Sequence, residues 1–162
     1  MPGREHRVLF LCTGNSARSI MAEALLNALG QGRFKAFSAG SHPKGAVHPQ
    51  ALAQLRSEGL PAEGYRSKSW DDFGGKAAAP VDIVITVCDR AAAESCPFWP
   101  GAPVSAHWGV DDPAAAPEAE QPAAFARAYG ELESRIRKLV ELPIDMLDAA
   151  MLRDRLREAG QA

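Results

Sequence analysis

Short runs of consecutive apolar residues alternate along the chain with stretches in which apolar side chains recur every three or four positions. His6–Leu11, carrying Val8-Leu9-Phe10-Leu11, reads as a short buried strand. Ser19–Leu29 places Ile20, Ala24, Leu25 and Ala28 at helical spacing, with Gly30 as a stop. Arg33–Ser38 reads as a second strand, closed by Ala39-Gly40, and His48–Ser57 as a helix backed by Gly59 and Pro61. Trp70–Phe73 fits one short turn. Val81–Val87 is a near-continuous β-branched run, as expected of a strand buried on both faces. Pro103–Trp108 is a weaker fourth strand. Pro122–Leu142 reads as a long helix with Phe125, Tyr129, Leu132, Ile136 and Leu139 on one face. Ala114–Ala124, rich in Ala, Pro and Glu, reads as a loop, and Ile144–Ala159 as an extra amphipathic helix.

Strands separated by helices predict an α/β fold: a three-layer sandwich whose four-stranded parallel sheet is flanked by helices. A length of 162 residues suffices for one principal core. The expected division is a main domain over 1–142 with a C-terminal helical extension over 143–162. The net charge of -2, with both signs mixed and no basic stripe, argues against nucleic acid or an anionic membrane as partner. The run Val8–Leu11 is too short for a signal-peptide core, and no stretch approaches the ~20 apolar residues that span a bilayer. A cytoplasmic monomer is expected. In that compartment the three cysteines are not a structural disulfide framework, because cytosolic disulfides tend to be transient or catalytic.

The strongest chemical signal is Cys12-Thr13-Gly14-Asn15-Ser16-Ala17-Arg18-Ser19, between a strand and a helix. A tetrahedral dianion needs this arrangement. Backbone N–H groups of Thr13, Gly14, Asn15, Ser16 and Ala17 can converge on it, and the helix N-terminus adds positive potential. Gly14 gives the backbone freedom, and Arg18 supplies a planar fork for two oxygens. The same field favours the thiolate of Cys12, to which the Ser19 hydroxyl can add a hydrogen bond, so Cys12 is placed as an activated nucleophile.

Leu11–Ser19 resembles the signature loop of the low-molecular-weight protein tyrosine phosphatase superfamily, which includes the thioredoxin-coupled arsenate reductases. The likeness runs over roughly residues 7–140. It takes in Ser38-Ala39-Gly40, the Val81–Cys88 strand and His107-Trp108-Gly109-Val110-Asp111-Asp112-Pro113. It implies a phosphatase-like fold. It also implies that the Asp-Pro of the late loop supplies a general acid. Asp112 matches that position, with Asp111 as near rival, and Pro113 holds it extended. The loop alone does not separate hydrolase from reductase.

A hydrolase has no need of Cys88 or Cys96. Cys12 and Cys88 each end a strand, at the edge where open α/β sheets place their sites. If those strands are neighbours, as in the resembled fold, they lie ~4.8 Å apart. Cys88 and Cys96 at the ends of a continuous helix would have Cα atoms ~12 Å apart, against the ~4.4–6.8 Å a disulfide needs. Asp89–Ser95 would therefore have to unwind, and the absence of Leu, Ile, Val or Phe between the two cysteines makes that cheap.

The resemblance thus implies arsenate reduction through a Cys12 arseno-thiol adduct, a Cys12–Cys88 disulfide and then a Cys88–Cys96 disulfide recycled by thioredoxin or another thiol reductant. Arsenate is the expected ligand, with phosphate or sulfate as mimics and weak phosphatase activity on the side. A small tyrosine phosphatase is the alternative, although no aromatic residue follows Asp112-Pro113 to flank a phenyl ring. A metal binder using Cys88, Cys96 and His107 fits no common zinc spacing. No tightly bound cofactor is expected. Relatives of this type bind potassium beside the loop, and Asn15, Glu23, Ser38 and Asp71 fall at matching positions. Phe98 and Trp99 read as partly buried packing, with a docking surface for the reductant as the alternative. His6, His42 and His48 are expected as surface or capping residues.

Overall fold

The central strand β1 (His6–Cys12) alternates its side chains across a sheet that is buried on both faces. Val8, Phe10 and Cys12 join the larger apolar cluster, while Leu9 and Leu11 join a smaller one on the opposite face. A computed structural model describes residues 5–73, 80–87 and 103–161. Its sheet contains β1, β2 (Phe34–Gly40), β3 (Ile83–Thr86) and β4 (Val104–His107), in the order β2-β1-β3-β4 and parallel throughout. The four-stranded parallel α/β fold expected from the sequence is the one observed.

The chain runs from β1 to β2 on one side and returns past β1 to β3 on the other. The carboxyl ends of β1 and β3 therefore flank the topological switch point, where such sheets bind ligands.

The larger cluster is covered by α1 (Arg18–Leu29), α2 (Pro49–Ser57), α3 (Gln121–Val140) and α4 (Ala149–Ala159). Met21, Leu25 and Leu26 of α1 and Phe125, Leu132 and Ile136 of α3 are buried in this one cluster together with Val8 and Phe10 of β1. On the opposite face Trp70 and Phe73 of a short 3-10 turn pack on Leu9, Leu11 and Val84. The C-terminus of α3 is closed by Arg33, whose guanidinium donates to the carbonyls of Val140 at 2.5 Å and Leu142 at 2.8 Å.

Three expectations need correction. The predicted loop 114–124 is largely ordered into 3-10 turns at Pro113–Ala115 and Glu118–Glu120, and α3 begins at Gln121. Asp112 accepts from the Ala114 N–H, and Pro113 and Pro122 sit at helix starts, where a missing N–H costs nothing. The piece 144–159 is a 3-10 turn, Ile144–Met146, followed by α4, because Asp148 caps the Met151 N–H at 2.8 Å and starts a new helix. His6 is buried, not at the surface. Its Nε2 stands 3.2 Å from Asp145 Oδ1 and its ring is 5.7 Å from that of Phe34. His48 does cap: its Nδ1 accepts from the Gln50 N–H at the start of α2, and its ring lies 4.8 Å from Phe125.

The C-terminal helix is fastened to β4 by Trp108, which is fully buried and donates its indole N–H to the Leu156 carbonyl at 2.8 Å. Gly160 lets the chain pass against that indole, since a Cβ there would lie 2.6 Å from it.

Candidate active site

Cys12 is the last residue of β1, and Arg18 is the first of α1. Between them the loop Thr13–Ala17 turns tightly, and its carbonyls are spoken for. His42 N–H donates to Thr13 O, Lys44 N–H to Gly14 O and His48 N–H to Ser16 O, at 2.9, 3.0 and 2.8 Å. The described chain has no cis peptide. In a trans peptide the N–H points opposite to the C=O. The N–H groups of Gly14, Asn15 and Ala17 therefore face away from the 42–48 strap. The N-cap of α1, Ala17, makes no side-chain cap, and the first turn holds no acidic residue. That helix end is left open to an anion.

Asn15 fixes this shape. It is fully buried with φ 45°, a left-handed conformation that Asn tolerates better than most residues. Its Nδ2 donates to Ser19 Oγ at 2.8 Å, and its Oδ1 accepts the Lys68 N–H at 2.9 Å. From the other side Gly40, paired in register with Cys12, presses on the loop. A Cβ at residue 40 would lie 2.8 Å from the Cys12 carbonyl oxygen and closer still to that of Thr13. Only glycine fits there.

The loop opens on a cleft of about 730 Å³, lined by Cys12–Gly14, Ser16–Arg18, His42, Lys44 and the 109–112 segment after β4. Arg18 reaches across and donates from Nη1 to the Val110 carbonyl at 2.8 Å, while its Nη2 stands 3.9 Å from Asp112 Oδ2. Its Nε is buried with no hydrogen-bond partner among the described residues. A buried guanidinium N–H left that way is costly, and an oxyanion oxygen would satisfy it. Asp112 is about half exposed, with Oδ1 accepting the Ala114 N–H at 2.9 Å. Asp111 lines the same cleft.

The structure brings together the predicted residues Cys12, Thr13, Gly14, Ser16, Ala17, Arg18 and Asp112 around one cleft, with Asn15 and Ser19 buried beneath it. β1 and β3 are neighbours: Leu11 is registered with Thr86, and the Val87 N–H donates to the Leu11 carbonyl at 2.8 Å. Cys88, Cys96, Phe98 and Trp99 lie outside the described residues, as does the segment Asp89–Ser95. His107, at the end of β4, has its Nδ1 2.7 Å from Thr86 Oγ1.

Of the implied cation set, Glu23 and Ser38 meet, with 2.5 Å between Oε1 and Oγ. Asp71 is exposed in the turn after Ser69. The ammonium of Lys68 stands in this cluster, 3.9 Å from Glu23 Oε1 and 3.5 Å from Ser38 Oγ. Burial pushes the Glu23 carboxyl up, opposed by the Ser38 hydrogen bond and the Lys68 charge. Burial pushes the Lys68 ammonium down, against the Glu23 charge. A potassium ion would have to share this position with an ammonium, so the residues present do not fit one.

Lys68, the Val110 carbonyl and the rim residues His42 and Lys44 were not foreshadowed in the sequence. None carries a local motif; each reaches the site through long-range packing. Gly40 had a visible signal, a glycine ending a strand at the functional edge.

A model of the low molecular weight phosphotyrosine protein phosphatases matches residues 7–154. That match covers most of the chain, and the Cys12–Arg18 loop stands at the switch point of a parallel sheet: the chain belongs to that family. Within it, the arsenate reductase of Bacillus subtilis is 35% identical over 136 residues, 83% of this chain and 94% of that protein. Among solved structures, the arsenate reductase of Archaeoglobus fulgidus matches with a TM-score of 0.66 and 32% identity, over 83% of this chain and 99% of that one. The thioredoxin-dependent arsenate reductase of Corynebacterium glutamicum matches with a TM-score of 0.63 and 25% identity, over 87% of this chain and 63% of that one.

Proposed function

We propose that this protein reduces arsenate to arsenite, with Cys12 as nucleophile and Cys88 and Cys96 as the relay that carries two electrons in from thioredoxin or a comparable dithiol. The observation that carries the reading is the cleft itself. It joins Cys12, an uncapped helix N-terminus, the unpartnered Nε of Arg18 and the carboxylate of Asp112, on a chain that also holds two further cysteines. The kinship with arsenate reductases supports it.

Arsenate sits on the loop N–H groups with oxygens on Arg18. The Cys12 thiolate attacks arsenic, and Asp112 protonates the oxygen that departs as water, leaving a sulfur–arsenic bond. Ser19 Oγ accepts from Asn15 and so keeps its own proton to steady the Cys12 sulfur. The Cys88 thiolate then attacks the Cys12 sulfur. The sulfur–arsenic bond breaks, its electron pair goes to arsenic, and arsenite leaves as the Cys12–Cys88 disulfide forms. The pairing of β1 with β3, continued by the Val87 N–H bond to the Leu11 carbonyl one residue before Cys88, supports this exchange. The Cys96 thiolate attacks Cys88 and frees Cys12, and a dithiol reductant takes up the resulting Cys88–Cys96 disulfide by exchange.

Phosphate and arsenate are alike in shape and charge, so the loop binds both. The discrimination lies in whether a thiol or a water resolves the adduct. The test is NADPH consumption with arsenate, thioredoxin and its reductase. Turnover should vanish in Cys88→Ser and Cys96→Ser while slow aryl phosphate hydrolysis persists in both. Arsenate turnover surviving both substitutions, or aryl phosphate hydrolysis far exceeding arsenate reduction, would favour a phosphatase.

A further inference from the structure

Behind the oxyanion loop lies a second charged cluster that the chemistry above does not use. The side chains of Lys68 and Glu23 are 10% and 15% exposed. The Lys68 ammonium has three oxygens around it: the Arg66 carbonyl at 3.2 Å, Ser38 Oγ at 3.5 Å and the Glu23 carboxylate at 3.9 Å. A carbonyl, a hydroxyl and a carboxylate are the donors that a hard monovalent cation takes.

The main chain of the same residue holds the loop. The Lys68 N–H donates to Asn15 Oδ1, and the Lys68 carbonyl accepts the Gly40 N–H, both at 2.9 Å. Next to it, Ser67 Oγ donates to the Gly14 carbonyl at 3.0 Å. Fixing the ammonium therefore fixes the segment that sets Asn15 in its left-handed conformation and pins Gly40 against Thr13.

We infer that Lys68 is a tethered counter-cation: its ammonium occupies the place beside Glu23 and Ser38 that a monovalent metal ion could otherwise take, and oxyanion binding is thereby independent of potassium. Lys68 is a positioning residue, acting through Asn15. A covalent cation has an effective concentration that dissolved salt does not match, so this loop is shaped at any ionic composition. Lys68→Met keeps the stem and removes the charge, leaving Glu23 in need of a partner and the oxygens open to one.

The inference rests on the cleft being an oxyanion site, so phosphate binding to the wild-type protein is measured first, by calorimetry. Buffers of equal ionic strength contain potassium chloride, methylammonium chloride or tetramethylammonium chloride. Failure of the wild type to bind phosphate in any buffer would remove the oxyanion site itself. Given binding, the wild-type Kd should agree within about twofold across all three salts. Lys68→Met should bind about tenfold more weakly in tetramethylammonium and recover in potassium or methylammonium. Lys68→Met/Glu23→Gln, with no charge left to neutralise, should show no cation response, and it serves if the single variant folds poorly. A wild-type protein that potassium tightens, a Lys68→Met protein indifferent to cations, or a double variant that potassium still rescues would each overturn the inference.

Discussion

Arg18 and Asp112 face each other across the cleft at 3.9 Å, one on the first turn of α1 and the other after β4. Each is also tied to the backbone of the 110–114 segment, Arg18 through the Val110 carbonyl and Asp112 through the Ala114 N–H. The proposed anion-holding group and the proposed acid are therefore both set by one short segment. Replacing Asp112 with Asn keeps the turn's acceptor and removes the proton. We expect kcat with arsenate to fall by about 10²–10⁴, the usual worth of a general acid, with thermal stability nearly unchanged. Single-turnover arsenite release measures the first and a melting curve the second.

Arg18→Lys tests the fork. A lysine cannot reach the Val110 carbonyl and two anion oxygens at once, because its donors radiate from one atom. The expected outcome is a loss of about 10²–10³ in kcat/KM for arsenate, read from initial rates, together with weaker phosphate protection against heating.

Gly40→Ala should harm the site without touching a reacting group. The added methyl would collide with the Cys12 and Thr13 carbonyls, which are backbone atoms and cannot swing away. Phosphate should no longer raise the melting temperature of this variant, while far-ultraviolet dichroism stays close to that of the wild type. An unaltered phosphate shift would show that β2 can retreat at little cost.

Asn15→Gly separates backbone from side chain. Glycine accepts φ 45° without penalty, yet the variant leaves Ser19 Oγ and the Lys68 N–H without their partner. At about 1–3 kcal/mol for a buried polar group left unpaired, denaturant unfolding should show a loss of a few kcal/mol. A neutral result would mean that only the left-handed turn matters.

The residues that line the cleft were legible because the signals are local: Cys12 to Ser19 is a single run, and Asp112-Pro113 is a dipeptide with its own stiffness. The continuous apolar run Val8–Leu11 likewise announced a short buried strand. The loop expected at 114–124 went wrong because proline reads as a breaker, while Pro113 and Pro122 stand at helix starts, where proline is favoured. His6 was misplaced because its partners, Phe34 of β2 and Asp145 near the far end of the chain, are distant in sequence. Lys68 could not be read at all. Its partners Glu23, Ser38 and Asn15 come from α1, β2 and the oxyanion loop, and only the folded sheet brings them together.

In the proposed reaction, electrons enter the bound anion through Cys88. The most direct measurement of that route is disulfide mapping by mass spectrometry after one arsenate turnover of the reduced protein, quenched with acid and an alkylating agent. A relay through Cys88 should leave a Cys88–Cys96 linkage in the wild type, a Cys12–Cys88 linkage trapped in Cys96→Ser, and one arsenite released per disulfide formed. Arsenite released with Cys88 fully alkylated, in either protein, would contradict it.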